Sequence, residues 1–181
     1  KALGARGPFA NVLDAPSISI KLSALHPRYE VAKRARVDAE LKPKLLELAR
    51  LAKAQGICLT VDAEESERLE ISLDIIAAVH ADPSLAGWQG FGLAVQAYQK
   101  RAPFVIDWLA EQAKKNGQRW RVRLVKGAYW DSEVKRAQES GHQGYPVYTR
   151  KPNTDVSYLA CARRLFDYGD LFYPAFATHN A

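Results

Sequence analysis

RVRLVKGAY, residues 121–129, reads as a β-strand that carries two cations, Arg123 and Lys126, to a glycine at its C-terminal end. Gly127 permits close approach to the backbone, so this strand end can hold an anion beside exposed amides. Tyr129 and Trp130 follow at once and offer flat surfaces on which a ring can stack. The alternative is a strand whose end is basic by chance and whose aromatics belong to the core.

Four other stretches read as strands: SISIKLS (17–23), ICLTVDA (57–63), FGLAVQAY (91–98) and LFYPAFAT (171–178). Helical spacing fills the intervals. Leu41, Leu45, Leu48, Leu51 and Ala52 share one helical face, and Leu69, Leu73, Ile76 and Ala77 another. Val105, Trp108, Leu109 and Gln112 mark a third helix, opened by Pro103. A fourth runs from Asp155 to about Tyr168, with Val156, Leu159, Ala160 and Arg163 in register. Gly56, Gly87, Gly117 and Gly169 each follow a helical stretch, where a left-handed cap belongs. Between Tyr129 and Asp155 lies an unusually long connection with a helical piece, Ser132 to Ser140, and the turn GHQGYPVYT.

Strands alternating with helices predict a parallel sheet joined by crossovers, and near-continuously apolar strands predict that both faces are covered. Each strand ends in polar groups: Lys21; Asp62 with Glu64; Gln96; Arg123 with Lys126; His179 with Asn180. A doubly wound sheet needs such residues only at its switch point, whereas a (β/α)8 barrel gathers all its strand ends at one site. The expectation is therefore an α/β fold, a TIM-like (β/α)8 barrel of which about five strands are present. A whole barrel takes roughly 250 residues, so strands are expected before Lys1 and after Ala181. Residues 1–14 read as a lead-in segment.

The composition, 48% hydrophobic and 25% charged, is that of one globular domain. Methionine is absent, which points to an internal piece of a longer protein. No apolar run of about 18 residues occurs, and nothing near Lys1 reads as a signal peptide. Cys58 and Cys161 sit in apolar segments and read as inert buried thiols in a reducing compartment. The net charge of +6 is either a mildly basic surface or a set of cations converging on an anionic ligand. Nucleic-acid binding is disfavoured, because no basic run carries interleaved aromatics.

Several residues have two readings each. Lys21 either binds an anion at the mouth of the barrel or is a surface lysine. His26, before Pro27, reads as a loop hydrogen-bonder rather than a catalyst. Asp62 and Glu64 lack the further ligands of a metal site and read better as partners for Lys21, Arg123 and Lys126, while Glu65 reads as a helix N-terminal charge. Gln96 suits a heterocycle or a structural role, and His179 and Asn180 share that ambiguity. No GxGxxG, P-loop or GxSxG occurs.

SISIKLSALHPRY, TVDAEESERLEISLD, AVQAYQKRAPFVID, RLVKGAYWDSEVKRAQ, GYPVYTRKPNTDVSYLACARRL and FATHNA occur in order from Ala15 to Ala181. Together they resemble the proline dehydrogenase domain of the bacterial bifunctional proline utilisation flavoproteins. The resemblance implies a distorted (β/α)8 barrel with FAD at the C-terminal strand ends. It implies oxidation of L-proline to Δ1-pyrroline-5-carboxylate, with electrons passed to a membrane quinone. It also implies a cytoplasmic protein with peripheral contact at the inner membrane, and relatives with a second dehydrogenase domain.

By the same resemblance, Lys21 binds the substrate carboxylate and Asp62 belongs to the ion-pair network of the substrate site. Gln96 lies against the isoalloxazine and Arg123 near flavin N5. Val125, Lys126, Gly127, Ala128, Tyr129 and Trp130 wrap the cofactor, and Tyr129 also lines the proline pocket. Arg123, Asp62 and Tyr129 form the catalytic set, and Thr178, His179 and Asn180 meet the dinucleotide. The family's two carboxylate-binding arginines lie on a late helix that this sequence does not contain. Two other readings stay open: a barrel lyase forming a Schiff base on Lys126 or Lys21, and a non-catalytic part of a multidomain protein.

Overall fold

The computed structural model describes residues 9–178. Five strands form one sheet in the order β1 (Ser17–Ile20), β2 (Cys58–Val61), β3 (Phe91–Gln96), β4 (Trp120–Val125) and β5 (Phe172–Phe176). The β1/β2, β2/β3 and β4/β5 ladders are parallel. Strand order follows chain order, as in a barrel, whereas a doubly wound sheet reverses direction at its switch point. Six helices accompany the strands: α1 (Leu22–Leu25), α2 (Arg34–Ala54), α3 (Leu69–His80), α4 (Ala102–Asn116), α5 (Trp130–Glu139) and α6 (Lys151–Asp167).

The chain divides into two compact units. One runs to Asp62 and resumes over Glu67–Leu93; the other comprises Ala63–Ser66 and everything from Ala94. In the first, Val37, Leu41, Leu45, Ala49 and Ala52 of α2 and Ile71, Ile75, Ile76 and Val79 of α3 are buried. Arg34 joins the two helices at their surface through Asp74 of α3 at 2.9 Å, and also pairs with Asp38 within α2 at 2.8 Å. In the second, α4 buries Val105, Ile106, Leu109 and Ala113 and closes on Gly117, whose φ of 60° satisfies the expected left-handed cap.

Five expectations need correction. The strands are shorter than the apolar runs: β1 ends at Ile20, Lys21 is the N-cap of α1, and Leu22 and Ser23 are helical. Continuous burial holds for β2 and β3, but β1 is largely exposed because it stands at one end of the strand order. Leu51 of α2 faces outward, 53% exposed, and Ala49 takes the buried position. In α6 the buried stripe is Thr154, Ser157, Cys161 and Leu165, while Val156 and Leu159 are 67% and 68% exposed. Small residues bring this helix close to the chain leaving β3, where the Ser157 hydroxyl donates to the Ala97 carbonyl at 2.7 Å. The helix also starts at Lys151, four residues before Asp155, because Pro152 is compatible with a first turn.

Candidate functional site

The second unit contains the segment that follows β4. Along β4 the side chains alternate: Trp120, Val122 and Leu124 are buried, while Arg121, Arg123 and Val125 are half-buried on the other face. Beyond Val125 the backbone leaves the strand over Lys126–Tyr129 and enters α5 at Trp130. Hydrogen bonds from Ala97 N to Val125 O (2.8 Å) and from Tyr98 N to Lys126 O (2.7 Å) hold its start.

Gln96, 4% exposed at the end of β3, braces this segment from the side. Its Nε2 donates to the Glu64 carbonyl at 2.8 Å, and its Oε1 accepts from Ala128 N at 3.2 Å. These two bonds fix which way the amide points, and each end retains one further hydrogen-bonding position. Tyr98 lies beneath Gly127, and a methyl group on that glycine would fall onto the Tyr98 ring. Burial pushes the Tyr98 phenol far above its ordinary range, with the charge of Glu133 adding to the effect.

A pocket of about 330 Å³ opens beside the segment, lined by Lys126, Gly127, Trp130, Tyr148, Thr149 and Lys151 among others. Lys126 Nζ donates to Asp155 Oδ1 at 2.6 Å, and Lys151 Nζ to Oδ2 at 2.7 Å. The two ammonium groups, Lys126 first, hold the Asp155 carboxyl below its usual range. Trp130 is 44% exposed, with its indole N–H bonded to the Tyr148 carbonyl at 3.1 Å. The turn carrying Tyr148 is fastened to the chain after β3 by Tyr148 N to Tyr98 O at 2.8 Å and by a bridge between Gln99 and Val147. The pocket therefore combines two lysines, aromatic and hydroxyl-bearing walls and a glycine.

Of the residues singled out from sequence, Gln96, Arg123, Val125, Lys126, Gly127, Ala128, Tyr129 and Trp130 fall in this unit: Val125 to Trp130 are consecutive, Arg123 lies two residues before Val125 on β4, and Gln96 is bonded to Ala128. Lys21 and Asp62 fall in the other, each one residue past a strand, with Asp62 N donating to Ile20 O at 2.8 Å. Thr178 is exposed after β5, and His179 and Asn180 lie outside the described residues. The expected partnership of Lys126 with Asp62 or Glu64 is replaced by Asp155, which α6 presents 29 residues downstream. His26 is a buried loop hydrogen-bonder, with Nε2 3.0 Å from Glu40 and Nδ1 accepting from Arg28 N. Sequence reasoning missed Tyr98, Thr149, Lys151, Asp155 and the Glu133–Ser66 pair. The Lys151–Asp155 spacing of four in a helix was the available signal.

The family model for proline dehydrogenase matches residues 2–181. The chain belongs to the proline dehydrogenase family. It is 56% identical over 180 residues to the bifunctional protein PutA of Klebsiella aerogenes, which covers 99% of this chain and 14% of that protein. A solved structure of Bradyrhizobium japonicum proline utilization A superposes with a TM-score of 0.96 at 58% identity, covering 98% of this chain and 18% of that one. The Bdellovibrio bacteriovorus protein, solved after inactivation by N-propargylglycine, gives 0.85 at 33% identity over 90% of this chain and 17% of its own. The chain thus spans about 14% of the length of the curated PutA relatives it matches. Its parallel sheet with accompanying helices is the TIM-barrel-like fold of the proline dehydrogenase domain.

Proline dehydrogenases of this kind are FAD-dependent. The residues present fit such a group: lysines for a phosphate, an exposed indole for a ring, and a glycine at the pocket floor.

Proposed function

We propose that this chain is part of a proline dehydrogenase barrel domain, residues 1–181 all contributing to it, within a longer polypeptide. In this reading it oxidises L-proline to Δ1-pyrroline-5-carboxylate. The observation that carries the reading is the Lys126–Trp130 segment, braced by Gln96 and opening on a pocket with two lysines and an exposed tryptophan. Bound FAD would supply the hydride acceptor at flavin N5 and the route for electrons to a quinone.

The chain's own groups have distinct tasks. Lys21 holds the proline carboxylate, and Asp62 takes part in the surrounding ion pairs, so that the reacting carbon is fixed in orientation. Arg123 stands near the flavin ring, where a fixed cation stabilises negative charge as it develops. A cationic site also disfavours the protonated amine, which keeps the proline nitrogen neutral for reaction, with its proton lost to solvent. Tyr129 lines the substrate pocket and, with Arg123 and Asp62, completes the catalytic set. Gln96 presents its oriented amide to the ring, Val125 to Trp130 wrap the cofactor, and Thr178, His179 and Asn180 meet the dinucleotide. Peripheral contact with the cytoplasmic face of the inner membrane, where the quinone resides, and a second dehydrogenase domain in the same polypeptide belong to this proposal. No described helix is long and apolar enough to cross a membrane.

The test is anaerobic addition of L-proline to the purified full-length protein while visible absorbance is recorded. Yellow protein bleached by proline is the expected result; colourless protein, or flavin indifferent to proline, overturns the reading. For the other reading, a Schiff-base lyase on Lys126 or Lys21, the Lys126–Asp155 bond disfavours Lys126, whose Nζ is already engaged at 2.6 Å.

A further inference from the structure

Glu133 has no part in the roles given above, yet its side chain is 3% exposed in the first turn of α5. A carboxyl group withdrawn from water this completely must find strong partners. It finds both on one residue: Ser66 N donates to Oε1 and Ser66 Oγ to Oε2, each at 2.6 Å. The third polar group of Ser66 is also engaged, because Arg101 Nη2 donates to its carbonyl at 2.6 Å. Ser66 is therefore held at its N–H, its hydroxyl and its carbonyl.

The loop clamped in this way is Ala63–Ser66, and two residues upstream of Ser66 is the Glu64 carbonyl that receives Gln96 Nε2. The other end of the same amide receives Ala128 N, in the segment that runs directly into the helix carrying Glu133. Two bridges thus join the same two pieces of chain: Gln96 between Glu64 and Ala128, and Glu133 between α5 and Ser66. If Ser66 shifts, the Glu64 carbonyl shifts with it, and the donor end of Gln96 loses the partner that decides its orientation. An amide released at one end is free to rotate and to present oxygen where it presented N–H.

We propose that Glu133 is a positioning residue for the proline dehydrogenase reaction: by clamping Ser66 it sets the Glu64 carbonyl, and through that carbonyl the orientation of the Gln96 amide. The inference rests on the proposed function for its consequence at the flavin, but the clamp itself is a property of the polypeptide.

The experiment uses the full-length protein with Glu133→Gln, Ser66→Ala, Gln96→Ala and the double variant Glu133→Gln/Gln96→Ala. Hydrogen exchange is followed first, on flavin-free protein. In Glu133→Gln the amides of residues 63–66 should exchange at least about tenfold faster, since hydrogen bonds to a charged group are each worth around a decade or more in an equilibrium. The second readout is the visible flavin spectrum together with the rate of flavin reduction by proline. Glu133→Gln should shift the spectrum and slow reduction in the same direction as Gln96→Ala, and the double variant should match Gln96→Ala alone, because both substitutions act through one amide. Ser66→Ala should give a smaller version of the Glu133→Gln effect.

Additive losses in the double variant, or a Glu133→Gln protein with wild-type spectrum and exchange, would overturn the inference. A wild-type protein without proline-reducible flavin would instead overturn the proposed function, and the exchange arm would still decide whether Glu133 clamps the loop.

Discussion

At Gly127 a single hydrogen atom separates a working backbone path from a collision. The ring of Tyr98 occupies the space a Cβ would need, whereas Gly144, in the turn further along, has open space around it. Gly127→Ala should therefore destabilise the full-length protein by about 1–3 kcal/mol, the usual cost of forcing a methyl into a filled site. Gly144→Ala should leave the thermal midpoint unchanged, and equal shifts for the two variants would refute the account. Asp155 offers a different test. Its carboxyl lies below its usual range through Lys126 first and Lys151 second, so the folded state favours the ionised form. The stability this supplies is fully present above the ordinary aspartate value of about 3.9 and is lost as pH falls through the lower folded-state value. The difference in urea midpoint between wild type and Asp155→Asn should thus be constant near neutrality and shrink under strong acid. A difference that grows on acidification would contradict the assignment. Neither residue announced its role in the sequence: Gly127 was legible as a place of close approach, but the ring that approaches it arrives from the end of β3.

Among the elements, α6 shows what periodicity can and cannot decide. Val156, Leu159, Ala160 and Arg163 do share a helical face, so the helix itself was legible, yet the face that packs is Thr154, Ser157, Cys161 and Leu165. Apolar spacing marks an amphipathic helix, but close approach to a neighbour favours small side chains, and a stripe of threonine, serine and cysteine carries little hydrophobic signal. The partner of α6 was equally hidden, because it is set by pairs far apart in sequence. Arg164 forms a two-pronged ion pair with Asp107 of α4, at 2.5 and 2.8 Å, and the Tyr168 hydroxyl donates to the same carboxylate at 2.7 Å. Arg164 first, and Tyr168 with it, holds the Asp107 carboxyl below its usual range. Arg164 and Asp107 are 46% and 30% exposed, so solvent screening limits the pair to about 1 kcal/mol or less. Arg164→Ala should lower the urea midpoint by that modest amount, and 1 M salt, where the screening length is about 3 Å, should remove most of the difference. A large, salt-independent loss would mean that Arg164 acts through packing instead.

For the whole molecule, the order of the sheet was legible because strand and helix signals alternate without interruption, and polar strand ends distinguished a barrel from a doubly wound sheet. The division into two compact units was not legible, since no proline- or glycine-rich linker marks it and the four residues Ala63–Ser66 group with chain that follows much later. Each unit contains one buried cysteine outside any disulfide: Cys58 in the first and Cys161 in the second. Cys58 Sγ donates to the Val12 carbonyl at 3.0 Å, and burial pushes the Cys161 thiol up, which makes its reactive thiolate scarcer at neutral pH. The two thiols therefore report opening of the two units separately. In the native full-length protein both should be alkylated at least about a thousandfold more slowly than in urea, because labelling then requires an opening that costs on the order of 4 kcal/mol. Mass spectrometry of the two cysteine peptides over time measures this directly. If either peptide labels at its unfolded rate under native conditions, the unit that contains it is not closed around its core.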